Sequence, residues 1–197
     1  MKCLLLFFCL FFACTVQAKK ERRYGKHNIT ALAVVNNGGN GVGISYEIML
    51  NDKQNMSLLF PIVATVTDFE TSPAQYNYAG QQIAPADNSG RVKMYFFAPG
   101  MRFYPTRSKG IVRYSFGGSF VLGSGKGSDN ELGGADHLIS RTIYGIVFDN
   151  AVYIQPVPQL RITFEFYIGP GHDDESDLIT SGVIYQASIG VGYRFGN

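Results

Sequence analysis

The sequence has 197 residues, of which 46% are hydrophobic and only 16% are charged, and its formal net charge is +2. This length suggests one domain, and the hydrophobic content is too high for an intrinsically disordered chain. A net charge this small provides no basic field that would attract nucleic acid. The sequence has 23 glycines, 12 tyrosines and 15 phenylalanines, a composition that favours β-structure over a helical bundle.

Residues 1–18, MKCLLLFFCLFFACTVQA, have the pattern of a secretory signal peptide. Lys2 supplies the positive start, an apolar run follows, and Val16, Gln17 and Ala18 form a small-residue cleavage site. The apolar run is shorter than the roughly 20 residues that a transmembrane helix needs. We therefore expect a signal peptide at 1–18 and one exported domain at 19–197.

The three cysteines, Cys3, Cys9 and Cys14, all lie inside this first segment. Cleavage after Ala18 would leave an exported chain without disulfides or thiol chemistry. The sequence from Phe11 to Cys14 loosely resembles a bacterial lipoprotein box, so lipidation at Cys14 is the alternative to simple cleavage.

Runs of period-two alternation, separated by turn residues, predict eight strands in the exported chain. In the second strand, Val42, Ile44 and Tyr46 share one face, whereas Ser45 and Glu47 share the other. Short and long connections alternate, which is typical of an up-and-down barrel in an outer membrane. The predicted fold is all-β, an eight-stranded antiparallel up-and-down transmembrane β-barrel. The predicted strands are 28–36, 41–52, 56–69, 92–105, 110–123, 139–155, 158–169 and 181–195.

Three long polar connections are expected at 70–91, 123–138 and 170–180, on the external side of such a barrel. External loops are frequent sites of partner binding. The sequence therefore predicts a surface for an interaction partner in these loops, and it identifies no particular partner.

The polar strand faces carry mostly Gly, Ser, Thr and Gln, which suits a narrow enclosed lumen. Large side chains such as Phe116, Phe120 and Phe164 would overfill an eight-stranded interior and suit lipid instead. A soluble periplasmic lipocalin-like lipid carrier is the alternative, and it would need an outer face rich in charged residues.

A few charged residues of both signs fall on the predicted lumen face. Arg113 and Arg161 are expected to neutralise Glu47 and Glu165 through paired hydrogen bonds. The preferred interpretation is a structural ion-pair core, and a polar pathway for small ions is the other. The candidates are Glu47, Arg102, Arg113, Arg161, Glu165 and Arg194.

Two further groups of residues have weaker chemical signals. His137 and Ser140 lie near the external rim, where a lipid A-modifying enzyme would place a catalytic His and Ser. Their spacing of three directs them to opposite faces of one strand, so no catalytic site is expected. A second group, formed by Asp173, Asp174, Glu175 and Asp177, is a weak candidate for a loop cation site, and it lacks the spacing of a dedicated calcium loop. No metal or cofactor is expected.

These features resemble the small eight-stranded outer-membrane β-barrel proteins of Gram-negative bacteria, which include the OmpA membrane domain and OmpX. The resemblance covers residues 24–195 and includes the alternating final strand at 187–195. It implies that Tyr193 and Phe195 form the signal that the barrel-assembly machinery reads, and that outer-membrane lipid and lipopolysaccharide surround the protein. With Phe103 and Tyr104, these two aromatics are expected at the periplasmic rim.

Overall fold

The computed structural model describes residues 25–51, 54–70, 75–76, 82–84, 89–105, 111–130, 136–175 and 178–196. The expected signal peptide and Cys14 lie outside the described residues. Within these ranges, no helix is long and apolar enough to cross a membrane.

The strands form one closed antiparallel barrel and a separate two-stranded hairpin, β4–β5. Around the barrel, each strand pairs with the next one in the chain, and β11 returns to pair with β1. The predicted fold class, with its eight antiparallel barrel strands, is confirmed. The strands are β1 His27–Asn36, β2 Gly39–Met49, β3 Met56–Glu70, β4 Gln75–Tyr76, β5 Gln82–Ala84, β6 Ser89–Phe97, β7 Gly100–Phe103, β8 Val112–Asn130, β9 Asp136–Ile154, β10 Leu160–Glu175 and β11 Leu178–Phe195.

β6 and β7 together make the fourth barrel strand, with a break at Ala98 and Pro99. Proline has no backbone N–H to donate to a ladder. The carbonyl of Pro99 still accepts a hydrogen bond from the Phe120 amide at 2.9 Å, and the Ala98 amide donates to the Pro61 carbonyl at 3.3 Å. The wall therefore stays continuous across the break.

Large apolar side chains on the outward face of every barrel strand form an apolar belt around the molecule. Their exposed fractions reach 67% at Val42 and Ile146 and 63% at Tyr95. A continuous apolar surface of this extent would be unfavourable in water. Alternation along each strand directs the next residue into the lumen. One member from each barrel strand is Val35, Val42, Ile62, Tyr95, Phe120, Ile146, Phe164 and Ile189.

Two strand pairs are much longer than a bilayer requires. β8 and β9 have 19 residues each, and β10 and β11 have 16 and 18. About 9–11 residues suffice for a tilted transmembrane strand. We call the end where these hairpins project the long-hairpin end, and the opposite end, near His27 and Phe195, the terminal end.

These extensions correct the predicted loops. Residues 123–130 and 136–138 belong to β8 and β9, and residues 170–175 and 178–180 belong to β10 and β11. Within the predicted loop 70–91, β4 and β5 form a hairpin and β6 begins at Ser89. The sequence of these outer ends has no period-two alternation of apolar and polar residues, so its pattern is that of loops although the backbone stays paired.

The lumen contains two layers, where the sequence predicted only small polar residues and a few charges. Charged and tyrosine side chains fill the half nearer the terminal end. An apolar layer fills most of the other half, and it comes largely from strands whose two faces are both apolar. The apolar layer is Leu32, Val34, Leu59, Val63, Val92, Met94, Phe96, Ala98, Val121, Ile143, Val147, Tyr167 and Ile184.

Glycine makes room for the bulkiest member of the apolar layer. A Cβ at Gly123 would lie 2.6 Å from the Phe96 ring, so only glycine fits beside this ring. Nearby, a cavity of about 10 Å³ adjoins Phe96, Tyr167 and Ile184. This is about the smallest space that holds one water molecule.

Candidate functional site inside the barrel

The most concentrated chemistry in the described residues is a network of buried charges inside the barrel. Glu47 on β2, Arg102 on β7 and Arg161 on β10 all point inward because they alternate with belt residues on their strands. All three side chains are essentially inaccessible to water. Burial of this kind requires nearly complete pairing of the charges.

Arg102 is the centre of the network. Its Nε donates to both carboxylate oxygens of Asp149, at 2.9 and 2.8 Å. Its Nη1 donates to Glu165 at 2.9 Å and to the Tyr153 hydroxyl at 2.6 Å, and its Nη2 donates to the Tyr167 hydroxyl at 2.6 Å. One guanidinium thus joins two carboxylates and two phenols from β9 and β10.

Glu47 is the centre of a second cluster. It forms an ion pair with Arg161 and accepts a hydrogen bond from Tyr104. The Ser57 hydroxyl donates to the same carboxylate at 2.6 Å. The Arg161 guanidinium also lies over the Tyr153 ring, 3.5 Å from the ring centroid, and so connects this cluster to the Arg102 cluster.

Arg113 and Arg194 lie at the terminal end and hold a turn inside the barrel mouth. Arg113 donates to the backbone carbonyl of Gln54 at 2.8 Å, and its guanidinium lies 4.4 Å from the Tyr104 ring centroid. Arg194 donates to the carbonyl of Gly25 at 2.8 Å and to the Gln54 side chain at 3.4 Å. Gln54 itself is only 7% exposed, so this end of the lumen is capped.

The pairing differs in part from the expected one. Arg161 pairs with Glu47, but the partner of Glu165 is Arg102, whereas Arg113 contacts Gln54 and Tyr104. Tyr104 was expected at the rim, but it is fully buried inside the lumen. The position after β7 turns its ring inward to fill the space between Glu47 and Tyr153.

Sequence reasoning missed Asp149 and Tyr153. Their neighbours on the same face of β9 are Val147 and Ala151. This face is therefore largely apolar, as the outward face is, and alternation does not identify it as the lumen face. The one available signal is an aspartate in the middle of a long apolar strand, because an unpaired charge there would be too costly.

The terminal aromatic pair lies on the outer face, next to the chain start. Tyr193 and Phe195 are 60% and 40% exposed at the end of β11. The ring of His27 stacks on Phe195 at 5.5 Å between centroids, and its Nδ1 lies 2.8 Å from the Tyr46 hydroxyl. Phe103 is exposed at the same end.

The acidic candidates divide between two faces of β10. Asp173 forms an ion pair with Arg141 of β9, whereas Asp174 is the next residue and lies on the alternate face. The side chain of Glu175 and all of Asp177 lie outside the described residues. Among the side chains that are described, no group of three or more His, Cys, Asp or Glu could hold a metal ion.

The rim candidates for catalysis are only partly described. His137 and Ser140 both belong to β9, three positions apart, and Ser140 is exposed. The side chain of His137 lies outside the described residues.

The closed barrel, its filled lumen and its apolar belt define a class: the fold is that of the small eight-stranded outer-membrane β-barrels. No model of a known protein family matches the sequence, and a search of curated proteins gives no match.

Three solved structures illustrate the similarity. A major outer membrane protein from Thermus thermophilus aligns over 87% of this chain and 99% of its own, with 12% identity and a TM-score of 0.64. The N-terminal β-barrel domain of Pseudomonas aeruginosa OprF aligns over 88% and 100%, with 10% identity and a TM-score of 0.54. Ail, the attachment invasion locus protein of Yersinia pestis, in complex with the heparin analogue sucrose octasulfate, aligns over 87% and 99%, with 18% identity and a TM-score of 0.51.

Proposed function

We propose that the protein is a small outer-membrane β-barrel with a structural or surface-interaction role, exported through a cleaved signal peptide at residues 1–18. The observation that carries this proposal is the apolar belt, which encircles the barrel while the network of buried charges lies in the lumen. In lipid, every backbone group needs a partner, and a closed barrel provides one for each strand. A soluble lipid carrier does not fit this outer face, because it would expose the belt to water.

In this proposal the terminal end faces the periplasm and the long-hairpin end faces the outside. The working surface is then the extension of β8–β9 and β10–β11, together with the β4–β5 hairpin. Ail, which has the same fold, is an attachment invasion locus protein, and this supports a surface role. The outer partners are membrane lipid and lipopolysaccharide, and Tyr193 and Phe195 serve the barrel-assembly machinery.

We assign no catalytic step to the protein. The charged side chains in the lumen form ion pairs with one another, and Arg113 donates a hydrogen bond to Gln54. Their role in this proposal is to stabilise the barrel. A lipid A-modifying enzyme would need an assembled nucleophile and base at the rim.

Membrane fractionation of the expressed full-length chain tests the proposal, with gel mobility compared before and after boiling. We expect recovery in the outer membrane and a heat-dependent mobility shift, because a closed barrel stays compact in detergent until it is heated. A soluble periplasmic product without a shift would contradict the proposal.

A further inference from the structure

Two lysines face each other across neighbouring strands near the long-hairpin end. Lys93 of β6 and Lys126 of β8 are direct register partners, and both side chains are exposed on the outward face. Neither ammonium group has an ion pair or hydrogen bond in the part of the chain that the structure describes. Directly opposed like charges destabilise an antiparallel pair. The arrangement therefore gains stability from an anion placed between the two.

The register places this pair at the upper edge of the apolar belt. Going outward along β6 and β8, successive outward-facing rows are Phe97 with Leu122, Tyr95 with Ser124, and then the lysines. Rows on one face of a strand are about 7 Å apart. Tyrosine favours the level of lipid headgroups in a membrane. One row beyond Tyr95, the lysines lie where headgroup phosphates are found.

The neighbouring strand adds neutral hydrogen-bonding groups. Ser140 of β9 lies directly opposite Lys126, and Thr142 lies opposite Ser124. The side chains of Ser124, Ser140 and Thr142 are all exposed. A hydroxyl can donate to a phosphate oxygen. Asp174 is the first described outward carboxylate beyond Thr142, on β10, so a strand separates it from Lys126.

We propose that Lys93 and Lys126 form a binding site for the phosphate group of a phosphorylated glycolipid in the outer leaflet. The flexible lysine side chains converge on one phosphate, while the acyl chains lie along the apolar belt below. This inference rests on the proposed membrane location, because a soluble barrel would meet no ordered lipid at this height.

The test is lipid retention by the purified, detergent-solubilised full-length barrel, measured by native mass spectrometry during titration with diphosphoryl lipid A. We expect the half-saturating concentration to rise about 5-fold in Lys93→Gln or Lys126→Gln and about 30-fold in the double variant, because each lysine near a lipid surface contributes comparably. Lys26→Gln, which removes the same charge at the terminal end, serves as the matched control and should match the wild type. Lipid A without its phosphates should bind the wild type as weakly as diphosphoryl lipid A binds the double variant.

Each other outcome overturns the proposal. Lipid A retention by the double variant that equals that of the wild type would show that the lysines do not bind the phosphate. Equal binding of dephosphorylated and diphosphoryl lipid A to the wild type would show the same. Displacement of lipid A by millimolar inorganic phosphate would show a site for free anions instead. An intact heat-dependent mobility shift in every variant confirms that each one folds, and loss of this shift in the wild type would reject the membrane proposal separately.

Discussion

At the scale of single residues, the Arg102 guanidinium balances two buried carboxylates at once. Asp149 and Glu165 approach it from different strands, and all three side chains are at most 2% exposed. Removing one member of such a set leaves an uncompensated charge, which costs about 3–5 kcal/mol. Replacing every member by a neutral group of similar size often costs little.

Arg102→Met should therefore lower the free energy of unfolding by about 3–5 kcal/mol, measured by urea titration of the folded gel band in detergent. The triple variant Arg102→Met, Asp149→Asn, Glu165→Gln serves as the control, and it should recover a large part of that loss. A single variant as stable as the wild type would contradict the network's structural role.

The lumen also shows how far residue-level prediction from the sequence can go. Glu47, Arg161 and Glu165 can be placed in the lumen because their strands alternate cleanly between apolar and polar faces. Asp149 cannot be placed in this way, because its strand is apolar on both faces. Which arginine pairs with which carboxylate depends on distances across the lumen, and local sequence carries no information on these distances.

At the scale of strands, β8 and β9 continue in register far beyond the apolar belt, from Val112 opposite Ile154 to Asn130 opposite Asp136. The sequence predicts that both strands exist, but not their outer ends. A ladder beyond the apolar belt needs no apolar face towards lipid, so its sequence lacks the period-two signal that predicts a strand.

Shortening this hairpin should leave the barrel intact. Deletion of residues 128–138, with an Asn-Gly turn joining Gly127 to Ile139, removes only rows beyond the lysine pair. We expect the heat-dependent mobility shift and the urea midpoint to stay near those of the wild type.

The matched control removes two rows within the belt by deleting residues 120–121 and 145–146. These residues pair with one another, so the β8–β9 register is kept, but the rows beyond the deletion shift by one row against β6 and β10, and the belt loses Phe120 and Ile146. This variant should fail to fold. Equal folding of both deletions would show that the barrel tolerates the loss of rows within the belt as well as the loss of rows beyond it.

At the scale of the whole molecule, the two layers of the lumen act as successive barriers. The side chains of the apolar layer, such as Phe96 and Met94, are almost fully buried in one half, and the ionic network and the cap at Gln54 fill the other half. An eight-stranded barrel has an interior just wide enough for its side chains. The sequence predicted this narrow lumen, but the division into layers arises only when eight strands are assembled.

The wild-type protein should therefore show no stable ion conductance in planar lipid bilayers. The measurement is single-channel recording after reconstitution, with protein-free bilayers as the reference. Reproducible ohmic steps in the wild type would favour the polar-pathway interpretation of the interior charges.

The seam between β1 and β11 also brings the two ends of the barrel chain together. His27 lies opposite Phe195, and the Lys26 amide donates to the Gly196 carbonyl at 3.1 Å. A short peptide linker could join these ends, so the barrel has no geometrically unique starting strand. A circularly permuted chain opened at another turn of the terminal end would keep every ladder but move Phe195 into the middle of the sequence. The order in which the strands are synthesised would then change, whereas their order around the barrel would stay the same.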